Sequence, residues 1–243
     1  MINPYVGEVS AFGFKRDLMG WIKCEGQLVS VQEYNQLFTA IGTFFGGDGL
    51  ATFGLPNFAP ITADGGQFCI SAFGAAPTEG RKALAGETTV FVYQHAPPPG
   101  WLGCHGGTLQ ISQYQSLFKI LGTTFGGNGT TTFGVPEMMY ISPFDVPTSF
   151  GLSLYCIANA PSGSTDEGFM GEIKIFPSTV PPNGWLPCNG QVLSISEDTA
   201  MFSLLGSAYG GDGKTTFALP TITNLPAGLQ AFICQLGVFP PIP

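Results

Sequence analysis

The chain has 243 residues, with eight Lys/Arg against sixteen Asp/Glu and a formal net charge of −8. Only 10% of the residues are charged, against about 25% in an ordinary soluble domain, while Gly (35), Pro (20) and Phe (21) are abundant. This balance excludes a disordered chain, which is charge-rich and aromatic-poor, and argues against nucleic acid, because no Lys/Arg stripe exists to collect phosphate.

The glycines keep no three-residue period, so a collagen-like rod is excluded as well. No apolar run approaches the roughly 20 residues of a membrane-spanning helix. Residues 1–12 lack the basic start and the apolar stretch of a conventional signal peptide. Length alone suggests one or two domains, but an internal repeat gives a different division. Trp21, Trp101 and Trp185 are 80 and 84 residues apart, and Cys24, Cys104 and Cys188 keep the same intervals. So do Phe53, Phe133 and Phe217, and Pro56, Pro136 and Pro220. Three modules follow, over 5–78, 86–162 and 169–243, joined by short linkers rich in small residues and Pro.

Each module is expected to open with a strand, over 7–12, 87–92 and 171–176. There Val9 and Ala11 match Thr89 and Phe91, then Ile173 and Ile175, in a period of two. A Pro/Gly turn leads to the Trp-x-x-Cys segment, read as a second strand. A short helix follows, because Tyr34, Leu37, Phe38 and Ile41 hold the i, i+3, i+4, i+7 spacing of one face, as do Tyr114, Leu117, Phe118 and Leu121. The third copy keeps Met201, Phe202 and Leu205 but has Asp198 in place of the Tyr. Ser30 with Glu33, and Ser194 with Glu197, are expected to form capping boxes. Gly42, Gly122 and Gly206 should end the helices in the left-handed conformation. A glycine loop then runs into Thr-Phe-x-x-Pro, with tight turns at Asp48, Asn128 and Asp212. An apolar strand closes each module, over 67–72, 154–159 and 231–236. The class is α+β and β-rich.

Gly-Trp-x-x-Cys-x-Gly, the helix ending before Gly, and Gly-Gly-Asp-Gly-x-Thr-Thr-Phe-x-x-Pro together resemble the phage tail collar domain of short tail fibres and microcystin-dependent tail-like proteins. The resemblance extends over all three modules, and the ending Cys-Gln-Leu-Gly-Val-Phe-Pro is similar to the last strand of the latter group. It implies a small α/β module that usually assembles as a trimer, and a non-enzymatic subunit of a virion tail, tail-like appendage or extracellular fibre. Three fused copies are then expected to pack around a pseudo-threefold axis, since fusion makes their association intramolecular. Family members commonly carry a long insertion after Phe-x-x-Pro, sometimes with metal sites. Here about ten residues separate Pro56 from Gln67 and Pro220 from Ala231, so receptor and metal sites do not carry over.

The residues themselves offer little catalysis. His95 and His105 are the only histidines, and Cys104 beside His105 would point to opposite faces of a strand. No cofactor motif, metal-ligand spacing or Ser/His/Asp set stands out. Trp21, Trp101 and Trp185 read as core anchors before sugar platforms. The cysteines fall two to a module, as Cys24/Cys69, Cys104/Cys156 and Cys188/Cys234. Aligning Phe68, Tyr155 and Phe232 puts Ile233, not Cys234, opposite Cys69 and Cys156, which favours buried thiols over one disulfide per module. The apolar ends, with Ile2 and Tyr5 at one terminus and Val238, Phe239 and Ile242 at the other, are candidates for self-assembly; folding back on the chain is the alternative. The partners expected are further copies of the chain or other tail proteins, with a cell-surface glycan as the alternative. For the latter the candidate loops are 58–65 and 138–150.

Overall fold

A computed structural model describes residues 4–58, 66–75, 83, 86–92, 97–138, 153–158, 168–178, 180–222, 225 and 227–241. Module 1 contains β1 (Glu8–Phe12), β2 (Trp21–Lys23), β3 (Leu28–Ser30), α1 (Asn35–Ile41), β4 (Thr52–Gly54) and β5 (Gln67–Ser71). Module 2 repeats the order as β6 (Thr88–Val92), β7 (Trp101–Gly103), β8 (Thr108–Gln110), α2 (Gln115–Leu121), β9 (Thr132–Gly134) and β10 (Ser153–Ala158). Module 3 does so as β11 (Glu172–Phe176), β12 (Trp185–Pro187), β13 (Val192–Ser194), α3 (Thr199–Leu205), β14 (Thr216–Ala218) and β15 (Gln230–Cys234).

Within each module the last strand lies between the first strand and the Trp strand, antiparallel to both. The three first strands also pair with one another: β1 with β6, β1 with β11, and β11 with β6. Nine strands therefore form one sheet around a three-way junction. Beside it, each module carries a two-stranded pair, β3–β4, β8–β9 or β13–β14, which the sequence periodicity does not announce.

The junction is cyclic. Ala11 pairs with Ile173, Val9 with Val90, and Ile175 with Thr88, so the end of each first strand meets the start of another. These registers become identical only if Gly7-Glu8, Gly86-Glu87 and Gly171-Glu172 are equivalent. The expected match of Val9 and Ala11 to Thr89 and Phe91 is therefore one residue off, and the true partners are Thr88 and Val90. The turn before Trp101 is one residue longer than its counterparts, so an alignment anchored on the Trp slips in the strand. The last strands need a similar correction. Val9–Ile70, Thr88–Ile157 and Ile173–Ile233 are equivalent pairs, so Phe232, not Ile233, stands where Cys69 and Cys156 do.

The helices are alike: seven residues each, with Leu37 and Ile41, Leu117 and Leu121, or Met201, Leu204 and Leu205 buried. Their starts differ from expectation. The N-caps are Tyr34, Tyr114 and Asp198 without a side-chain capping bond. Residues 31–34 form a turn out of β3, so Ser30 Oγ meets the Glu33 N–H (3.3 Å) one turn before the helix begins. At the other end Gly42, Gly122 and Gly206 do have positive φ (59°, 53° and 59°), but ψ near −147°, −131° and −144° is outside the left-handed helical well. That combination is one glycine tolerates and other residues do not. Among the described residues no helix is long and apolar enough to cross a membrane.

Candidate functional site

The junction of first strands is the place where the three modules act as one object, and polar chemistry is buried there. All five residues of β1 and of β11 are buried, because the sheet is covered on both faces. Glu8, Glu87 and Glu172 are no more than 3% exposed, and Lys174 only 5%. A buried carboxylate survives only with partners. Gly7 and Gly171 supply the positive φ of a tight turn whose Glu amide donates to the carbonyl of Tyr5 (3.0 Å) or Phe169 (2.9 Å). The Glu side chain then reaches back and accepts from the amide of that same Tyr5 (2.9 Å) or Phe169 (3.1 Å).

The other side of the carboxylates faces a neighbouring module. Ser10 Oγ donates to Glu172 Oε1 (2.9 Å), and Lys174 Nζ donates to Glu87 Oε1 at 2.5 Å. Lys174 also lies 3.6 Å from Glu172 and 5.8 Å from the centre of the Trp185 ring. Ser10 and Lys174 occupy equivalent positions, so the same strand site reaches across two junctions with different chemistry. Thr89, the third equivalent, donates to the carbonyl of Val9 (3.5 Å). A cavity of about 30 Å³ lies among Ser10, Thr88, Thr89 and Lys174, with room for about one water.

Apolar seams flank this polar centre. Tyr5 packs edge-on against Phe91 of module 2 (5.6 Å), which packs edge-on against Trp101 (5.1 Å). Phe169 lies 6.4 Å from both Phe12 and Trp21 of module 1. Trp101 and Trp185 are buried and Trp21 is half-buried. The Trp residues therefore sit at or beside the contacts between modules.

Phe53, Phe133 and Phe217 are fully buried under Phe38, Phe118 and Phe202, at 5.4, 5.5 and 5.6 Å. The carbonyls of Pro56, Pro136 and Pro220 accept from Gly26, Gly106 and Gly190, and the amides of Phe58, Met138 and Ile222 donate to the carbonyls of Cys24, Cys104 and Cys188. These bonds tie the Trp-x-x-Cys segment to the Phe-x-x-Pro segment in every module.

The glycine loops are turns held by one side chain. Asp48 Oδ1 accepts from the amides of Leu50, Ala51 and Thr52 at 2.8–2.9 Å. Asn128 Oδ1 and Asp212 Oδ1 do the same in their modules at 2.8–3.0 and 2.7–2.9 Å. A side chain on Gly47 would meet the Phe53 backbone at 2.4 Å, so the close approach demands glycine. The amide of Thr52 and its neighbours hold the Asp48 carboxyl below its usual range, and the Thr215 hydroxyl with three amides holds Asp212 lower still. A depressed folded pKa gives stability that is present above the unfolded value, about 3.9, and lost as pH falls through the folded value. Asp48→Asn with Asp212→Asn should therefore flatten the decline of Tm below about pH 4, since Asn128 shows that an amide makes the same bonds. An unchanged acid limb would count against this account.

All six cysteines are buried thiols. Burial pushes Cys69 and Cys156 up to about 12, and Cys24, Cys104 and Cys188 are raised as well, so none of these five is a thiolate near neutral pH. Cys104 is buried and its neighbour His105 is exposed, with its backbone paired to that of Glu137. His95 lies outside the described residues. No group of three His, Cys, Asp or Glu able to hold a metal occurs among the described residues.

Both chain ends fold back as far as they are described. Tyr5 is fully buried and bridges Ala75, while Val238 bridges Phe169 in the equivalent place. The Met19 amide donates to the Pro241 carbonyl (3.0 Å), which ties the tail to module 1. Tyr5 is thereby closed to a neighbour, whereas Val238 and Phe239 keep 36% and 45% exposure. Ile2 and Ile242 lie outside the described residues. Of the two candidate recognition loops, Phe58 and Met138 are buried core residues, and 59–65 and 139–150 are not described.

Three like α+β modules in one chain are closed around a single strand junction. The family model for the phage tail collar domain matches residues 7–62, 86–143 and 171–225. These matches cover more than half of the chain, and the protein belongs to the phage tail collar domain family. No curated protein and no solved structure gave a significant match. The family places the protein in phage tail structure, where such domains serve as structural parts of tail fibres.

The Glu ring was missed by sequence reasoning, although three Gly-Glu dipeptides at strand starts were visible. The seams between modules left no signal in any one module.

Proposed function

We propose that the protein is a structural subunit of a phage tail or tail-like appendage that works by association with copies of itself or with other tail proteins. The supporting observation is the cyclic junction of β1, β6 and β11. Family collars usually trimerise, and here one chain supplies all three parts, so closure needs no encounter between chains. The chain presents a symmetric body from a single polypeptide, which suits it to cap or continue a threefold fibre. An apolar strip at the tail, with Leu236 71% and Phe239 45% exposed, supports an outward contact there. Contact of that strip with a different surface on a neighbour is heterologous and propagates into a filament.

Electron microscopy of the intact protein and of a chain lacking 239–243 tests this reading. Filaments or higher oligomers that shorten or vanish on truncation are expected. Monomers alone in the intact protein, or filaments indifferent to truncation, would overturn it.

A second reading is recognition of a cell-surface glycan, which a cavity in module 1 favours because it combines aromatic rings with polar and cationic groups. Binding of the intact protein to a glycan array tests it, and an array without hits would count against it.

A further inference from the structure

The three modules differ most in charge beside the Trp-x-x-Cys segment. Three of the eight basic residues of this acidic chain, Lys15, Arg16 and Lys23, fall within nine positions of module 1. At the sites equivalent to Lys23 on the Trp strands, the other modules have Gly103 and Pro187. A cavity of about 260 Å³ opens there, lined in part by Lys15, Lys23, Glu25, Phe58, Gln67 and Phe68. Its size lies just under the roughly 300 Å³ at which pockets for drug-sized ligands begin, which suits one sugar ring and not a nucleotide.

One atom in its wall lacks what burial demands. Gln67 is 8% exposed and its Nε2 donates to the Arg16 carbonyl at 2.6 Å, yet its Oε1 has no hydrogen-bond partner. A buried acceptor left unpaired costs stability, so a donor supplied from the cavity is favoured. Phe58 and Phe68, edge-on at 5.6 Å, give the same wall an apolar surface. Lys23 is held by Asp17 at 2.8 Å, while Lys15 is exposed at the mouth. Ammonium groups at the rim, an acceptor inside and a carboxylate at Glu25 together match a ligand with one carboxylate and several hydroxyls.

We infer that module 1 binds the carboxylated ring of an acidic sugar, with its carboxylate on Lys15 and a ring hydroxyl donating to Gln67 Oε1. This deepens the second reading above and rests on it. Phe58 and Phe68, packed on each other, close the apolar side of the cavity. Modules 2 and 3 lack the lysine, so the chain carries one site and not three.

The test is titration calorimetry and saturation-transfer NMR of the intact protein. The probes are glucuronate, galacturonate and a short oligogalacturonate, with glucose as the neutral control. Binding of at least one acid, about tenfold tighter than glucose and weakened about tenfold in Lys15→Ala and in Gln67→Leu, is expected for charge-assisted bonds. A response to the oligomer alone would identify a chain-bound uronate as the ligand, and a response to the monomers would identify the free sugar acid. Either supports the site. Lys15 is exposed, so its variant remains informative if Gln67→Leu fails to fold. No binding of any acid, or binding indifferent to Lys15→Ala, overturns the proposal. Array hits on other sugars that survive both substitutions would overturn this site while leaving glycan recognition standing.

Discussion

Replacing Lys174 with Met is expected to destabilise the protein by about 3–5 kcal/mol in urea unfolding, the usual cost of removing one partner from a buried ion pair. The pair bridges modules 2 and 3, and both partners are almost fully enclosed: Lys174 is 5% exposed at the side chain and Glu87 0%. Met fills the volume but removes the cation that Glu87 and Glu172 face across the junction. The double replacement Lys174→Met with Glu87→Leu should regain much of the loss, because an apolar pair of similar size is often as stable as the ions it replaces. A single variant within about 1 kcal/mol of the parent would mean that water reaches the pair and that the junction is not a dry contact. Since the junction joins modules, the loss should appear as one cooperative transition for the whole chain and not as melting of one module.

Trp101→Ala should cost about 3–5 kcal/mol, as expected when a buried indole is removed and a cavity remains. The ring is 5% exposed, packs on Phe91 and shares a buried cluster with Tyr5 and Ala75 of module 1. Thermal unfolding should therefore show both modules losing stability together. Trp21→Ala should cost less, because that ring is only half-buried against Phe12 and Phe169. Equal, small effects of both substitutions would contradict an anchoring role and return the rings to consideration as binding surfaces.

The sequence by itself determined the threefold repeat, the positions of the short helices and the turns at Asp48, Asn128 and Asp212. Each of these depends on residues close together in the chain: a hydrophobic face over two helical turns, or an Asx side chain capping the amides that follow it. The resemblance to collar domains was legible for the same reason, since its motifs are local and occur three times. The strand pairs β3–β4, β8–β9 and β13–β14 were not legible, because three-residue strands separated by a helix and a glycine loop leave almost no periodicity.

Only the tertiary structure decided how the modules meet. The equivalence of Glu8, Glu87 and Glu172 emerges from strand registers, which a turn longer by one residue had hidden from an alignment on tryptophan. Glu is normally a surface residue, and nothing beside it in the chain announces that its partner is a Ser or Lys more than 80 residues away. The same holds for Tyr5 against Phe91 and Phe169 against Trp21, whose burial depends on a neighbouring module closing over them. Contacts within a turn or a helix are set by bonds a few residues long. Contacts across the junction exist only after three strands from distant parts of the chain have satisfied one another's hydrogen bonds, and that pairing is a property of the assembled sheet.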